Sequence, residues 1–490
     1  MRLGDLFDQA PREAADTPVS ALAYDDRRVS AGTVFFCVRG FTRDGHDFAD
    51  AAVAAGAAAL VVDHPLGSGV PEILVDDVRA AMAPAAARLA GDPTARLATV
   101  GVTGTNGKTT TAFLIRQLLE AGGRRTGILG TVTQVVGGVE RDAGRTTPEA
   151  IDLQRTFAEM LDGGDTACVI EVSSHALALG RADAIHWAAA VFTNLTQDHL
   201  DFHADMEDYF AAKARLFAAA PGVPKVVDVD DPYGRRLARQ HPDAITVALD
   251  APDARIRATE IASDLRGSRF TVEGRRLSTP LTGRFNVRNA LQAYVVAREL
   301  GVDAEVAAAA LARAGRVPGR LEPVDGGQPF AVLVDYAHTP DSLENVLAAA
   351  RGVVREAGHG RVLCVFGCGG DRDRGKRPLM GAIAARDADV AIATSDNPRS
   401  EDPAAILDEV LAGMADARAT VERIEDRHAA IERAIALAAP GDVVLVAGKG
   451  HEHGQTFADR TIPFDDVAVA REALAGAGWT SDPTTEASRA

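Results

Sequence analysis

The stretch GVTGTNGKTTTAFLI, residues 101–115, decides how this chain folds around a ligand. It continues the apolar run LATVGV and combines glycines, a lysine and threonines before a run with helical apolar spacing. Glycines allow a tight turn whose N–H groups face inward, and the helix that follows presents its positive end to an anion. The pattern therefore predicts a phosphate-binding loop between a strand and a helix.

Two side chains of this loop suit a nucleoside triphosphate. Lys108 supplies a mobile positive charge for the β- and γ-phosphates, and the Thr109 hydroxyl can reach a magnesium ion. The full phosphate-loop pattern has a glycine where Val102 stands, so the signal here is a shortened form. The alternative is a glycine-rich turn without a ligand. The candidate ATP-binding residues of the loop are Gly104, Thr105, Asn106, Gly107, Lys108, Thr109 and Thr110.

Length and composition indicate a soluble protein of several domains. A chain of 490 residues is too long for one core, and 47% hydrophobic with 25% charged residues is ordinary for a globular protein. The net charge of −17 argues against a nucleic-acid partner. The N-terminus lacks a signal-peptide pattern, no apolar run is long enough to span a bilayer, and the cysteines lie in apolar or glycine-rich surroundings. We therefore expect a cytoplasmic protein.

Composition breaks predict an α/β protein with three domains. Short apolar runs and alanine-rich helical stretches predict a small N-terminal domain over 1–92, closed by GDP. Apolar runs separated by helical stretches predict parallel sheets over 93–318 and, after RVPGRLEPV, over 319–478. Residues 479–490 are predicted to form a frayed tail. Ligands of open parallel sheets bind at the carboxyl ends of the strands, so we expect the chemistry at the turns that follow these runs.

Three further side chains are candidates for chemistry. Glu171 in EVSSHAL ends a predicted strand and suits a hard cation, with a helix-capping carboxylate as the alternative. His199 in FTNLTQDHLDFH has acidic neighbours, with a hydrogen-bonded loop histidine as the alternative. Lys213 lies on an apolar helical face, so it either snorkels to solvent or has a chemical role.

The order of the motifs along the chain adds a family resemblance. GTNGKTT, EVSSHAL, FTNLTQDHLD, GRFNVRNALQA, GRLE, VDYAHTP, CGGDRDRGKRP, DNPRSEDP and AGKGHEHGQ occur in the order seen in the Mur ligases, the ATP-dependent amino-acid ligases of peptidoglycan precursor synthesis. The resemblance extends to about residue 478. It implies a UDP-sugar-binding N-terminal domain, a central ATP-binding domain with a phosphate-loop parallel sheet, and a Rossmann-like C-terminal domain that binds an amino acid.

The resemblance also implies the reaction. ATP would pass its γ-phosphate to the carboxylate of a UDP-muramoyl dipeptide, and the amine of meso-diaminopimelate would attack the resulting acyl phosphate. Such chemistry needs charge neutralisation and positioning rather than a protein nucleophile. The implied catalytic residues are Lys108, Glu171, His199 and Lys213. By the same resemblance, Lys213 carries a CO₂-derived carbamate and holds one Mg²⁺ with His199, while Thr109 and Glu171 hold a second.

The rest of the ATP site is implied by two further motifs. Asn286 and Asn289 match the adenine-side asparagines of the family, with ordinary helix capping as the alternative. Arg320 and Asp335 match phosphate- and ribose-side residues that the third domain supplies. Closure of that domain would therefore complete the site and exclude water.

The UDP-sugar end is where the chain departs from the family. The family reads Asp-Ser-Arg where this chain has a carboxylate at Asp26, a glutamine where it has Leu179, and an asparagine where it has Arg145. A carboxylate facing a diphosphate is repulsive unless it turns away or caps a backbone N–H. The loop GFTRDGHDF, residues 40–48, matches the family. The implied contacts of the UDP-muramoyl dipeptide are Asp26, Thr146, Thr147, Ser173 and Arg181.

The amino-acid end is predicted from the turn DNPR. Proline fixes the turn, and Arg399 offers a planar fork that matches the far carboxylate of diaminopimelate, a group that lysine lacks. The alternative is a surface turn in which Arg399 pairs with Glu401 or Asp402. The implied contacts of meso-diaminopimelate are Arg372, Asp396, Asn397, Pro398, Arg399, Gly448 and Glu452.

Two rival functions share this scaffold. A folylpolyglutamate synthetase has the same loop and ligase chemistry but usually lacks the UDP-binding first domain and the DNPR stretch. A non-catalytic nucleotide-binding regulator could lose any of Lys108, Glu171, His199 and Lys213, which are all present here. We expect a monomer with small-molecule substrates, no nucleic-acid partner and no membrane span.

Overall fold

The computed structural model describes residues 1–264, 266–415 and 417–479. The predicted tail therefore lies outside the described residues, apart from its first residue, Trp479. Within the described ranges, the strands form three main sheets and one small hairpin, which follow one another along the chain. No helix in these ranges is long and apolar enough to cross a membrane.

The N-terminal sheet is small and parallel. Its strands and helices are β1 (Ala21–Ala23), β2 (Thr33–Phe36), β3 (Ala57–Val62), β4 (Glu72–Leu74), α1 (Leu3–Leu6), α2 (Ala49–Ala54) and α3 (Val78–Leu89). The strand order β1-β2-β3-β4 follows the chain. Every residue of β2 is buried, as expected for a parallel strand covered on both faces.

The central sheet is large and mixed. Its strands are β5 (Ala98–Thr103), β6 (Thr126–Leu129), β7 (Thr133–Val136), β8 (Val139–Asp142), β9 (Ala167–Glu171), β10 (Trp187–Phe192), β11 (Lys225–Asp228), β12 (Ile245–Ala248), β13 (Ile256–Asp264), β14 (Gly267–Val272) and β15 (Arg275–Thr279). The helices are α4 (Lys108–Ala121), α5 (Ala150–Asp162), α6 (Ser174–Ala178), α7 (Met206–Ala218), α8 (Pro232–Gln240), α9 (Arg284–Glu299) and α10 (Ala304–Ala312).

The order of the central strands places the candidate residues at one edge. The order is β15-β14-β13-β12-β11-β10-β5-β9-β6-β7-β8, with antiparallel pairs only toward the two ends of the described sheet. Strand β5 lies between β10 and β9 and is parallel to both. The carboxyl ends of these three neighbours therefore bring the glycine loop, Glu171 and the segment with His199 to the same edge.

Both faces of the central sheet are covered by apolar side chains. On β9, Val169 packs into one core cluster with helices α4 and α9, whereas Cys168 and Ile170 pack into the cluster on the other face. This alternation explains why the strand is an unbroken apolar run in the sequence. A rigid, doubly covered strand then holds Glu171 at its end.

The C-terminal sheet is also mainly parallel. Its elements are β16 (Glu322–Pro323), β17 (Ala331–Asp335), β18 (Val362–Phe366), β19 (Val390–Ala393), β20 (Thr420–Arg423), β21 (Val443–Ala447), the hairpin β22 (Gly454–Thr456) and β23 (Thr461–Pro463), and α11 (Pro340–Ala357), α12 (Lys376–Asp387), α13 (Pro403–Ala412), α14 (Arg427–Leu437) and α15 (Asp466–Gly476). The order is β16-β17-β21-β18-β19-β20, and only β16 is antiparallel to its neighbour. The predicted α/β class is confirmed; the central sheet is parallel in its middle strands and antiparallel toward its two ends.

The domain boundaries remain a proposal. We propose breaks at 92/93 and 318/319, because α3 ends at Leu89 before β5 begins, and α10 ends at Ala312 before β16 begins.

Aspartate side chains begin many of the helices. Each accepts a hydrogen bond from a backbone N–H of the first turn, which satisfies a donor that the helix leaves free. Part of the strong negative charge of the chain is therefore structural. These capping residues are Asp77, Asp205, Asp231, Asp303, Asp402, Asp426 and Asp465.

A fully buried ion pair ties α14 to α15 in the C-terminal domain. Arg427 Nε and Nη2 donate to the two carboxylate oxygens of Asp466 at 2.8 and 2.7 Å, and both side chains are 0% exposed. Arg427 Nη2 also donates to the Ala447 carbonyl at 3.0 Å, at the end of β21. The pair therefore links two helices to the sheet edge that carries the amino-acid motifs.

We predict that Arg427→Met destabilises the protein by roughly 3–5 kcal/mol, because it leaves the Asp466 carboxylate buried without its partner. The measurement is the denaturant midpoint of the full chain. The matched control is Arg433→Met on the same helix, which breaks the exposed pair with Glu422 and should cost much less. Equal losses in the two variants would contradict the prediction.

Candidate active site

The glycine loop has a backbone that only glycine accommodates. Gly104 has φ +149° and Gly107 has φ +84°. A Cβ atom at position 104 would lie 1.8 Å from Thr193 Oγ1, and one at 107 would lie 2.5 Å from Asn289 Oδ1. The two glycines therefore let the loop pack against the end of β10 and against α9, in the strand-to-helix position that the sequence predicts.

Lys108 folds back over the loop. Its Nζ donates to the carbonyl oxygens of Gly104 at 2.9 Å and Thr105 at 2.7 Å. Burial lowers the pKa of Lys108, and the nearby carboxylates of Glu171 and Asp198 act in the opposite direction. A cation held this way can neutralise phosphate charge at the start of α4.

Glu171 is the completely buried last residue of β9. Its carboxylate accepts hydrogen bonds from Thr109 Oγ1 at 2.9 Å, Thr131 N at 2.9 Å and Thr131 Oγ1 at 3.2 Å. The helix-capping alternative does not hold, because the cap of the next helix is Ser173, whose Oγ accepts from Ala176 N at 3.2 Å. Glu171 and Thr109 thus form a pair of oxygen donors beside the phosphate loop.

Lys213 is buried on α7, with 1% of its surface exposed. Its Nζ donates to Gly104 O at 2.8 Å and lies 4.6 Å from the centre of the Tyr209 ring. The side chain does not snorkel to solvent. Burial, reinforced by the positive charge of Lys108, holds the pKa of Lys213 well below its ordinary value. The structure thus places a weakly basic amine under the phosphate loop.

His199 lies beside Lys213 in a strained backbone conformation. It has φ +55°, its N–H donates to Asp198 Oδ1 at 2.9 Å, and its Nε2 lies 3.4 Å from Asp198 Oδ2. Burial lowers the pKa of His199. A neutral imidazole is the form that binds a metal ion.

The C-terminal domain closes over the central one through polar side chains. Arg320 Nη2 donates to Thr109 Oγ1 at 3.1 Å, and its guanidinium lies 4.6 Å from the centre of the Tyr336 ring. Asn106 Nδ2 donates to Asp341 Oδ2 at 2.7 Å, which links the phosphate loop to α11. The structure therefore shows the two domains in contact at the loop.

The nucleotide-side residues divide between two cavities. Asn289 and Asp335 line a cavity of about 870 Å³ together with Lys108, whereas Asn286 lines a neighbouring one of about 250 Å³. Asn289 Nδ2 donates to Asn286 Oδ1 at 3.1 Å, so the two amides are in contact. The capping alternative does not hold for α9, since its N-cap, Gly283, makes no side-chain bond and Asn286 Nδ2 donates to the Thr282 carbonyl at 2.9 Å.

Asp335 is held by the backbone of its own domain. Its carboxylate accepts from Leu321 N at 2.7 Å and Ala337 N at 2.8 Å, and burial raises its pKa. It still lines the larger cavity at the carboxyl end of β17.

The candidate dipeptide residues form a connected network in the larger cavity. Thr147 Oγ1 donates to the Glu171 carbonyl at 2.8 Å and accepts from Ser173 N at 3.1 Å. Thr146 Oγ1 lies 3.0 Å from Thr131 Oγ1, and Arg181 Nη1 donates to Thr147 O at 3.3 Å. These candidate residues all line the cavity, whereas Asp26 lines neither cavity.

A buried carboxylate that sequence reasoning missed organises this end. Glu149 Oε2 lies 3.1 Å from Arg79 Nη1, and Glu149 Oε1 lies 3.0 Å from Arg145 Nη1 and 2.9 Å from Arg181 Nη2. The four-residue spacing to Arg145 is visible in the sequence, but Arg79 comes from the N-terminal domain and no pattern connects it. Arg145, which replaces the family's asparagine, is thus part of a cationic cluster.

The DNPR turn follows β19 and contacts two neighbouring loops. Arg399 has φ +52°, its backbone N–H donates to Thr456 O at 3.0 Å, and its Nη1 donates to Gly370 O at 2.6 Å. Neither carboxylate of the surface-turn alternative pairs with it: Glu401 binds Arg377 at 2.8 Å, and Asp402 caps α13. Burial, and then the charge of Arg372, lower the pKa of Arg399.

A buried lysine that sequence reasoning missed supports the same turn. Lys449 is 0% exposed, and its Nζ donates to Asn397 Oδ1 at 3.0 Å and Glu452 Oε2 at 2.9 Å. Asn397 Nδ2 donates to the same Glu452 oxygen at 2.8 Å, and a Cβ at Gly448 would lie 2.9 Å from Asp396 Oδ2. In the sequence, the position of Lys449 between two glycines directly after β21 is the feature that could have indicated its role. Of the amino-acid candidates, Arg372 lines the larger cavity and the other six lie outside its lining.

A phosphate loop with a carboxylate–threonine pair, faced by a second parallel-sheet domain, fits an ATP-dependent ligase. Comparison with known proteins agrees. The Mur ligase family catalytic domain matches residues 18–89, the Mur ligase middle domain matches 102–297, and the Mur ligase glutamate ligase domain matches 319–450. The chain belongs to the Mur ligase family.

Individual relatives match over nearly their whole length. The UDP-N-acetylmuramoyl-L-alanyl-D-glutamate–2,6-diaminopimelate ligases of Solibacter usitatus and Geobacillus kaustophilus are each 48% identical to this chain; the matches cover 98% and 97% of the chain and 99% of each relative. A solved structure of a ligase with that name has a TM-score of 0.71 and 31% identity, covering 98% of this chain and 100% of the other.

We predict that Lys213→Met stabilises the protein at neutral pH in CO₂-free buffer, because it removes a buried amine beside Lys108. The unfolded chain binds a proton on Lys213 below about pH 10.4, whereas the folded pKa is lowered, so folding releases that proton. The free energy of unfolding of the wild type should therefore rise relative to that of the variant as pH increases, by at most about 1.4 kcal/mol per pH unit. The stability advantage of the variant should be smallest near pH 10.

Urea denaturation at pH 7 and pH 10 measures this difference. The control is Lys225→Met, which removes a buried amine that is paired with Asp243 at 2.7 Å and should lose stability. A Lys213→Met variant that is less stable than the wild type at pH 7 would contradict the inference that folding lowers the pKa of Lys213.

Proposed function

We propose that this protein joins meso-diaminopimelate to UDP-N-acetylmuramoyl-L-alanyl-D-glutamate, using ATP, in peptidoglycan precursor synthesis. The near-full-length relatives carry the name of this activity. One observation supports the choice of amino acid. Arg399 is half-buried near Arg372, and among the described residues no carboxylate lies within ion-pair distance of either guanidinium. Two such groups suit the free carboxylate of an incoming amino acid.

The central domain supplies the ATP side. Lys108 lies where it can neutralise the β- and γ-phosphates, and Arg320 reaches the same place from the C-terminal domain. Asn289 and Asp335 line the same cavity and are proposed to bind adenine and ribose. Positioned charges of this kind are the main requirement of phosphoryl transfer.

The donor set fits two Mg²⁺ ions. Thr109 Oγ1 and Glu171 Oε2, 2.9 Å apart, are the oxygen ligands that Mg²⁺ prefers. His199 supplies a neutral imidazole, and the buried, weakly basic amine of Lys213 is suited to react with CO₂, which would turn it into an anionic oxygen ligand. When bound, the ions would neutralise the charge that develops on the transferred phosphoryl group.

The dipeptide is proposed to bind along the network of Thr146, Thr147, Ser173 and Arg181. Its terminal carboxylate would take the γ-phosphoryl group to give an acyl phosphate, and the amine of diaminopimelate would displace phosphate. The cluster of arginines around Glu149 carries a net positive charge, which suits the anionic substrate. Asp26 lies outside the cavity lining, which contains no residue of the N-terminal domain.

At the amino-acid end, Arg399 would bind the far carboxylate. Asn397 and Glu452 form one hydrogen-bonded unit on Lys449, and Glu452 would accept the far ammonium group. Arg372 joins this end to the cavity where the acyl phosphate forms. We place the reaction in the cytoplasm, where ATP is available, and expect a monomer, since one chain contributes all these groups.

We predict that Lys213→Ala abolishes ligation and that high bicarbonate or a short carboxylic acid partly restores it. The variant loses an anionic metal ligand, and a small acid can occupy the space left by the side chain. Phosphate release with ATP, UDP-muramoyl dipeptide and meso-diaminopimelate measures the activity. Near-normal activity of the variant would show that Lys213 is not a metal ligand. The control is Lys225→Ala: any activity that it loses through damage to the fold should not be restored by the added acid.

We predict that the wild type strongly prefers meso-diaminopimelate to lysine. Lysine would leave Arg399 without its carboxylate, at a cost of about 2–5 kcal/mol. The measurement is competition between the two amino acids at equal concentration, followed by product mass. Arg399→Ala should lose diaminopimelate use while it retains ATP binding. The control, Arg374→Ala, removes an exposed arginine that pairs with Glu409 and should remain active. Preferential lysine incorporation by the wild type would overturn the proposal.

A further inference from the structure

A cluster of metal-ligating side chains lies in the N-terminal domain, and none of its residues lines either cavity. His46 belongs to the short turn at Gly45–Phe48, and Asp63 and His64 directly follow β3. One nitrogen or oxygen from each residue lies within 4.8 Å of the other two. The cluster therefore joins the loop at 39–48 to the carboxyl end of a parallel strand.

The hydrogen bonds of His46 leave one ring nitrogen free. His46 Nδ1 lies 2.6 Å from Asp44 Oδ1, and a carboxylate can only accept, so Nδ1 carries the proton. The side chain is 6% exposed, and its Nε2 is buried without a hydrogen-bond partner. The second ring nitrogen is therefore buried and makes no hydrogen bond.

That nitrogen faces a carboxylate. His46 Nε2 lies 3.2 Å from Asp63 Oδ1, so a nitrogen and an oxygen that can both bind a metal ion lie side by side. Two ligands of one tetrahedral zinc ion lie about 3.3 Å apart, given bonds of about 2.0 Å. The spacing of this pair is thus already that of two ligands on one ion.

His64 completes the set. Its Nδ1 lies 2.5 Å from Asp63 Oδ1, a hydrogen bond that leaves His64 Nε2 as the ring nitrogen for an ion, and its ring lies 4.7 Å from the ring of His46, centre to centre. Asp44 holds His46 from behind, as outer carboxylates hold metal-binding histidines. Arg39 Nε lies 3.2 Å from Asp63 Oδ2 and 3.5 Å from Asp44 Oδ2, so the two carboxylates are only partly neutralised.

We propose that His46 Nε2, the Asp63 carboxylate and the His64 imidazole bind a divalent transition-metal ion of the zinc class. Imidazole nitrogens select such ions over Mg²⁺. Three protein ligands leave one position for water. The ion fixes the loop at 39–48 to the end of β3 and has no part in the proposed ligation chemistry.

The test is zinc binding to the full chain after chelator treatment and dialysis. Zn²⁺ is titrated in competition with a chromophoric chelator, in the presence of millimolar Mg²⁺. Because the active site and the cysteines can also take up zinc, the quantity measured is the difference between variants. The wild type should bind one more Zn²⁺ per chain than His64→Ala or Asp63→Asn. The matched control is His186→Ala, which removes an exposed histidine paired with Asp92 and should keep the full stoichiometry.

A second readout identifies the ligands. Co²⁺ in place of Zn²⁺ should give a visible spectrum in the wild type that is lost in His64→Ala, while unfolding temperatures without metal show that both variants fold. Equal zinc stoichiometry in the wild type, His64→Ala and Asp63→Asn would overturn the proposal. The outcome is independent of ligase activity, since metal binding alone is measured.

Discussion

The carbonyl oxygen of Gly104 accepts hydrogen bonds from two lysine amines, that of the buried Lys213 and that of the partly buried Lys108, and the site is arranged around these two amines. Lys108 Nζ lies 2.9 Å and Lys213 Nζ 2.8 Å from it. Two cations cannot share one buried carbonyl unless anions compensate them or their pKa values fall, and both occur here: Glu171 and Asp198 lie nearby, and both lysine pKa values are lowered. Only glycine permits the φ of +149° that brings the carbonyl there.

The sheet order explains why so many charges meet at that carbonyl. Since β5 lies between β9 and β10, the residues that end these strands meet at one edge without long loops. The C-terminal domain repeats the arrangement, with Asp335 after β17 and the DNPR turn after β19. The carboxyl ends of parallel strands from the two sheets thus lie close together, and Arg320 connects the two domains there through its hydrogen bond to Thr109.

The sequence predicted the features that depend on local pattern. The loop, and Glu171 at the end of a strand, follow from glycine spacing and apolar periodicity. Spacing alone left open whether Lys213 is buried or snorkels to solvent. Contacts between distant segments could not be predicted in this way. Glu149 binds Arg79, seventy residues earlier, and Lys449 is satisfied by Asn397 on another strand end. A charged residue that is buried and paired resembles an exposed one in the sequence, because only the fold decides which partner it meets. The same limit applies to Asp26, whose side chain lies outside the cavity lining.

The polar contacts between the central and C-terminal domains bear on what it costs to separate the two domains. Asn106 donates a hydrogen bond to Asp341, Gln197 donates one to Asp373 at 3.0 Å, and Arg320 donates one to Thr109. Each hydrogen bond contributes about 1 kcal/mol net, because water replaces it when it breaks. Breaking these three contacts alone costs only a few kcal/mol, whereas the packing of Phe285 from α9 against the core of the C-terminal domain adds to the cost of separation. The interface between the two domains thus combines hydrogen bonds that water can replace with apolar contact that water cannot.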